Sequence, residues 1–330
     1  LGLSRWTEIT FGSLAIKEIR MVKIDLVTGF LGSGKTTFIK KYVKYLVDKG
    51  LKIGILENDY GAINVDLMLL GDLIGDNCEL EMIIGGGDFE THKRRFRTKL
   101  IAMAMSGYDR VIVEPSGIFE PEEFFDLLHE EPLDTWYEIG SVIIIADMSF
   151  EAEISESAEY LLGTQLSGAG AIIFSKQDKP KYKDVPGTIA YLNGILKKIK
   201  CKRIIKEEDI VPSSGKFDNC DFSRVMRAGY VLSDYEKKFI EIKEYSSVFV
   251  MNSSITKGKL EEKAKYIFKN SEKFGKVIRI KGFIKEDENY IFINMTKNNI
   301  ELDRIERGQN ILIAIGEELN ENEIVNMLTE

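Results

Sequence analysis

Gly29-Phe30-Leu31-Gly32-Ser33-Gly34-Lys35-Thr36-Thr37 decides the fold. It follows the short apolar run Val22 to Val27 and precedes Phe38 to Val47, whose apolar residues recur at helical spacing. Strand, glycine loop and helix in that order, with Gly29 and Gly34-Lys35-Thr36 at P-loop spacing, predict a cradle of backbone N–H groups around nucleotide phosphates. Lys35 is expected beside the β and γ phosphates, and the Thr36 hydroxyl on Mg²⁺. The helix beginning there adds partial positive charge where the anion sits. Gly29, Gly32, Ser33, Gly34, Lys35, Thr36 and Thr37 are therefore the candidate phosphate-binding residues.

Further along, Leu51 to Leu56 reads as a strand ending in Glu57-Asn58-Asp59-Tyr60-Gly61. Ligands of open α/β sheets lie outside the carboxyl ends of the strands, so this loop can face the phosphates, with Asp59 a candidate for positioning water or metal. A solvated polar turn is the alternative. Arg110 to Val113 is a strand delivering Glu114-Pro115-Ser116-Gly117. A carboxylate there is placed to hold Mg²⁺ together with Thr36, and Gly117 lets backbone approach a γ phosphate. Lys35, Asp59 and Glu114 are thus the candidate catalytic residues.

Ser141 to Ala146 and Ala171 to Phe174 are two more buried-strand candidates, the second ending in Ser175-Lys176-Gln177-Asp178. A carboxylate at Asp178 can accept from both N1–H and the exocyclic amine of guanine, a donor pair that adenine lacks, while the Lys176 stem can lie over the ring. A solvated turn is again the plain alternative. The residues favour GTP and GDP with Mg²⁺.

These segments together resemble the CobW-like family of P-loop GTPases, relatives of the UreG and HypB nickel chaperones. Gly29 to Thr37 looks like the family's GFLGSGKTT loop, Glu57 to Asp66 is similar to its ENEFGE-type segment, and Glu114 to Pro121 to its ETSGLADP. Gln165 falls where the family places a glutamine. Val277 to Phe283 resembles the RxKGF signature of the C-terminal domain, and Ile315 to Leu319 that domain's closing strand and loop. The resemblance implies a Mg²⁺-dependent, slowly hydrolysing GTP switch that assists maturation of a client metalloprotein or cofactor enzyme.

One stretch departs from that pattern. Where the family usually carries Gly-Cys-x-Cys-Cys, this chain has Gly85-Gly86-Gly87-Asp88-Phe89, so thiolate capture of Zn²⁺ or another soft ion is not expected there. Asp88, Glu90 and His92 alternate in the same loop and could offer oxygen and imidazole ligands for a second, speculative metal site, with Cys78 near in sequence; a solvated polar loop is the plainer expectation. His129 reads as a helix-end residue, and Lys93 to Arg97 as the solvated face of a helix running to Met105.

Composition bounds the remaining classes. The 330 residues are 44% hydrophobic and 30% charged, enough for about two domains. A net charge of −8 argues against a nucleic-acid binder, which needs a basic footprint. Three cysteines, Cys78, Cys201 and Cys220, without a short-spaced pair, suit a reducing cytoplasm. No apolar run approaches the ~18 to 20 residues of a membrane span, so no membrane is expected.

The expected organisation is an extension of unknown origin over 1–20, a P-loop GTPase domain over 21–221 and a connector over 222–245, followed by a smaller α+β domain over 246–330. The fold class is α/β with a mainly parallel sheet. A helix and a strand are expected between Val185 and Lys206. In the C-terminal region, strands are expected over Ser247 to Met251, Val277 to Ile284, Tyr290 to Thr296 and Ile311 to Ile315, with helices over Lys259 to Lys269 and Glu321 to Leu328. An ATP-dependent small-molecule P-loop kinase and a nucleotide-dependent scaffold with little turnover are the competing classes. Client, transition-metal cargo and a homodimer stay open.

Overall fold

The computed structural model describes residues 21–59, 70–84, 89–115, 120–148, 155–175, 184–211, 217–238, 245–297, 299–306 and 308–329. Six strands form the first sheet: β1 (Val22–Thr28), β2 (Ile53–Asp59), β3 (Cys78–Ile84), β4 (Arg110–Pro115), β5 (Tyr137–Asp147) and β6 (Ala171–Ser175). Their order is β3-β2-β4-β1-β5-β6, and every neighbouring pair is parallel. β1 and β4 lie in the middle and are buried on both faces, which is why they read as continuous apolar runs rather than alternating ones.

Helices cover both faces. On one side α1 (Lys35–Asp48) packs Phe38, Ile39, Tyr42, Val43 and Leu46 with Val27, Ile55 and Ile143 of the sheet. On the other, α2 (Phe89–Met105) lays down His92, Phe96, Leu100 and Met103, a buried stripe at helical spacing. That side also carries α3 (Pro121–Leu128), the short α4 (Leu133–Trp136), α5 (Glu156–Gly168) and α6 (Val185–Lys198). Pro121 and Pro186 sit in the first turns of α3 and α6, where a missing N–H costs nothing. His129 is the residue that ends α3, as its sequence context suggests.

Two strands were not anticipated from sequence, and β3 is the first. The strand expected before Lys206 does not form. There Asn193 of α6 takes the place of a ladder partner: its Nδ2 donates to Ile205 O at 2.9 Å, and Ile205 N donates to its Oδ1 at 2.8 Å. The chain makes a single 3-10 turn over Glu207–Asp209, buries Ile205 and Ile210 in the core, and pairs with the sheet through an isolated bridge between Ile210 and Ile172. α7 (Asn219–Met226) follows, capped reciprocally by Asp218 and Asp221, and packs Phe222 and Val225 against the α1 face.

The second sheet is antiparallel throughout. It orders β7 (Tyr245–Met251), β8 (Lys276–Glu286), β9 (Asn289–Thr296), β10 (Asn299–Ile305) and β11 (Ile311–Glu317) as β10-β9-β8-β11-β7. β10 is the second strand that the sequence did not announce. α8 (Lys257–Lys269), α9 (Ser271–Phe274) and α10 (Glu321–Thr329) cover one face, with Leu260, Ile267, Phe274, Ile280, Ile293 and Ile324 in a core of their own. The protein is thus an α/β P-loop unit joined to a smaller α+β layer.

Candidate functional site

The site begins at the end of β1. Gly29 has φ 142°, and a Cβ there would meet Ile145 O at 2.4 Å and Ser33 Oγ at 2.7 Å, so only glycine lets the loop pass this close to β5. Gly34 precedes α1 with φ 99° and brings no capping side chain. The first helical bond runs from Phe38 N to Gly34 O. This places the N–H groups of the first turn of α1 at the end of β1, the position at which a helix N-terminus receives an anion. Ser33 Oγ is buried, 1% exposed for the residue, with no hydrogen-bond partner among the described residues.

Lys35 is 7% exposed and its Nζ donates to Gly29 O at 2.9 Å, so the ammonium is folded back across the loop. Thr36 Oγ1 donates to Glu114 Oε1 at 3.1 Å, joining the first turn of α1 to the end of β4. Glu114 is 8% exposed, and its register partner in β2 is Glu57, also buried. The sequence pattern puts Glu57 in the acidic loop beyond the strand and singles out Asp59 rather than Glu57; in the structure β2 runs on to Asp59 and Glu57 is a strand residue. Adjacency to β4 is what brings this second carboxylate beside Glu114, and the strand order is not written in the local sequence.

The remaining candidates divide by place. Asp59 is the last residue of β2, paired with Ile84 of β3, so its backbone lies at the carboxyl edge of the sheet. Gly117, Lys176, Asp178 and Asp88 lie outside the described residues, and Glu90 is placed by its backbone only, in α2. His92 is 6% exposed on the buried stripe of α2. Cys78 begins β3, whereas the loop after Ile84 leaves from its other end. Six residues at about 3.3 Å each put roughly 20 Å between them, so sequence proximity misleads there. Burial, then Glu79, push the Cys78 thiol up to about 11, which keeps it protonated. Among the described residues no three of His, Cys, Asp or Glu converge as a metal site.

Beneath the loop, β1 is fixed to its neighbours by a buried charge cluster. Arg110 of β4 donates through Nη1 to both Asp25 oxygens at 2.5 and 2.6 Å, Tyr42 OH donates to Oδ2 at 2.9 Å, and Ser141 N to Oδ1 at 2.7 Å. Burial is the largest influence on Asp25 and raises its pKa, with the three donors pulling against it. The cluster ties β1, β4, β5 and α1 together four residues before Gly29.

A cleft of about 360 Å³ opens over Lys35, Thr36 and Glu114. Its opposite wall comes from the second sheet, through Arg279, Asn294 and Glu301. Comparison with known proteins agrees with this geometry. A family model described as CobW/HypB/UreG, nucleotide-binding domain, matches residues 23–205, more than half of the chain. The chain belongs to the CobW/HypB/UreG family.

Zinc chaperone YeiR of Escherichia coli is 29% identical over 160 residues, covering 48% of this chain and 48% of YeiR. Zinc chaperone YjiA of the same organism is 25% identical over 167 residues, 48% of this chain and 50% of YjiA. Zinc-regulated GTPase metalloprotein activator 1 of Dictyostelium discoideum is 24% identical over 323 residues, 83% of this chain and 65% of that protein. This CobW/HypB/UreG chain therefore spans about half the length of the two bacterial relatives it matches.

Proposed function

We propose that the protein is a Mg²⁺-dependent GTP-binding switch that hydrolyses GTP slowly and assists maturation of a metalloprotein or cofactor enzyme. The observation that supports this best is the cradle: an uncapped helix start, the orphaned Ser33 Oγ, and Lys35 beside Thr36 and Glu114 in one cleft. The described residues fit magnesium, because a hydroxyl and a carboxylate 3.1 Å apart are the hard oxygen ligands that Mg²⁺ takes beside nucleotide phosphates. Thr36 and Glu114 would hold it, and the ion would supply positive charge against the phosphates.

Lys35 swings from Gly29 O to the phosphates and places its charge where negative charge develops at the leaving oxygen. The backbone N–H groups of residues 33 to 37 orient the phosphate chain. Lys176 and Asp178 choose guanine, and Asp59 and Gly117 lie on the segments that would respond to the γ phosphate. The relatives' names point to handling of zinc, whereas Gly85 to Phe89 carries no thiolate, so cargo transfer through a Cys-x-Cys-Cys site is not part of the proposal. Residence in the cytoplasm suits the three reduced cysteines.

Phosphate release under single-turnover conditions tests this reading. The full chain with GTP and Mg²⁺ should turn over below about 10⁻² s⁻¹, the range of unassisted P-loop GTPases, and Lys35→Ala should abolish release. Turnover unchanged in Lys35→Ala would contradict it.

A further inference from the structure

The cleft joins parts of the chain far apart in sequence. Phe30 and Leu31 of the P-loop pack with Ile278 of β8, and a Cβ on Gly32 would stand 3.1 Å from Thr296 Cγ2 of β9. Ser155, the N-cap of α5, donates to Glu317 of β11 at 2.6 Å. The second sheet is therefore seated on the phosphate loop itself, and whatever it presents there meets the nucleotide.

It presents a guanidinium on a fixed mount. Arg279 Nε donates to Asn294 Oδ1 at 2.9 Å, and Asn294 Nδ2 donates to Glu301 Oε2 at 2.8 Å, a relay running across β8, β9 and β10. The amide holds the plane of the guanidinium through Nε, and a guanidinium has two NH₂ groups besides, the fork that suits a phosphate. The charge is permanent.

Position says which phosphate. The same cleft is walled by Thr36 and Glu114, the end where magnesium and the γ phosphate belong, and not by β6, which lies two strands from β1 and leads to Lys176 and Asp178. Glu301 and Asp303 also line it. Without Arg279 these acids would face the triphosphate with repulsion only, Lys40 and Lys41 lying on the opposite, α1 wall.

We propose that Arg279 is the C-terminal layer's contact to the γ phosphate of GTP, so that this layer reads the triphosphate from the diphosphate. The inference rests on the nucleotide reading above. A ligand shifts an equilibrium only through contacts that differ between two states, and a γ-phosphate contact is such a difference. Asn294 is the positioning residue, which holds the guanidinium and does not touch the phosphate.

Calorimetric titration of the full chain with a non-hydrolysable GTP analogue and with GDP, both in Mg²⁺, tests this. Arg279→Ala should lose about 10- to 100-fold in affinity for the analogue, the worth of a charge-assisted contact, while GDP binding stays within about twofold. Arg279→Lys, with the charge but without the fork, should fall between. Normal GDP binding certifies that each variant is folded. Equal losses for both nucleotides, or no loss for either, would overturn the inference while leaving the nucleotide site intact. A wild-type chain that binds neither nucleotide, or Lys35→Ala binding both as tightly as wild type, would overturn the P-loop reading and the inference with it.

Discussion

Thr36 Oγ1 and Glu114 Oε1 stand 3.1 Å apart although 78 residues separate them. One belongs to the first turn of α1 and the other to the end of β4, and only the pairing of β1 with β4 brings them together. Removing either oxygen should weaken magnesium more than nucleotide. Thr36→Ala and Glu114→Gln are each expected to raise the Mg²⁺ concentration needed to retain bound GTP by about 10- to 100-fold. Nucleotide dissociation rates across a Mg²⁺ titration measure it, and unchanged Mg²⁺ dependence in both variants would speak against this pair as ligands.

The Asp25 and Arg110 cluster makes a stability prediction. Arg110→Met leaves a carboxylate fully buried with its main counter-charge gone, a change that costs about 3 to 5 kcal/mol. Urea denaturation should show the loss as a lower midpoint. The double variant Asp25→Leu with Arg110→Met should recover much of it, because no charge is then stranded.

Glu123, in the first turn of α3, has its pKa pushed up to about 7, mainly by burial and then by Glu120. A carboxyl raised above its unfolded value binds more protons in the folded state between the two pKa values. Stability from this group is therefore full below about pH 4.5 and declines as pH rises to about 7, on the order of 1 to 3 kcal/mol. Glu123→Gln should flatten that part of the stability profile and be the more stable form at pH 8. Thermal melts of both forms from pH 5 to 8 would show the difference, and parallel profiles would contradict it.

Transition-metal binding should be weak. Cys78 is buried at the start of β3, Cys201 is buried elsewhere and Cys220 is exposed on α7, so no thiolates converge among the described residues. Competition with a nanomolar zinc chelator should strip the protein in both nucleotide states. Stoichiometric zinc retained against it and lost on alkylation of the cysteines would establish a thiolate site instead. His92→Ala is a packing change in α2, and alteration of any residual metal binding by it would implicate the 88–92 segment.

Much of the first sheet and its cradle was legible because β1, β4 and β5 are buried on both faces and β1 runs directly into a glycine loop with restrictive spacing. The missed strands, β3 and β10, are the outer strands of their sheets. In β3 Glu79 and Glu81 alternate with apolar residues and pair with Lys52 at 3.5 Å and Lys99 at 2.8 Å, and charge of this kind is how an edge strand avoids unwanted pairing. The alternation is itself a strand pattern that was passed over. Glu57 and Arg279 were hidden for a different reason. Each enters the site through a neighbour fixed by strand order or by the seating of the second sheet, contacts that no local window contains.

The most direct measurement is competition of GTP, GDP and ATP for the full chain in Mg²⁺, against a fluorescent guanine nucleotide. If Asp178 accepts from guanine N1–H and its exocyclic amine as proposed, a donor pair adenine lacks, ATP should displace the probe at least about 10- to 100-fold more weakly than GTP. Asp178→Asn should shift preference toward xanthosine triphosphate. Displacement by ATP at the same concentration as GTP would contradict the guanine switch and return the protein to the ATP-dependent P-loop enzymes.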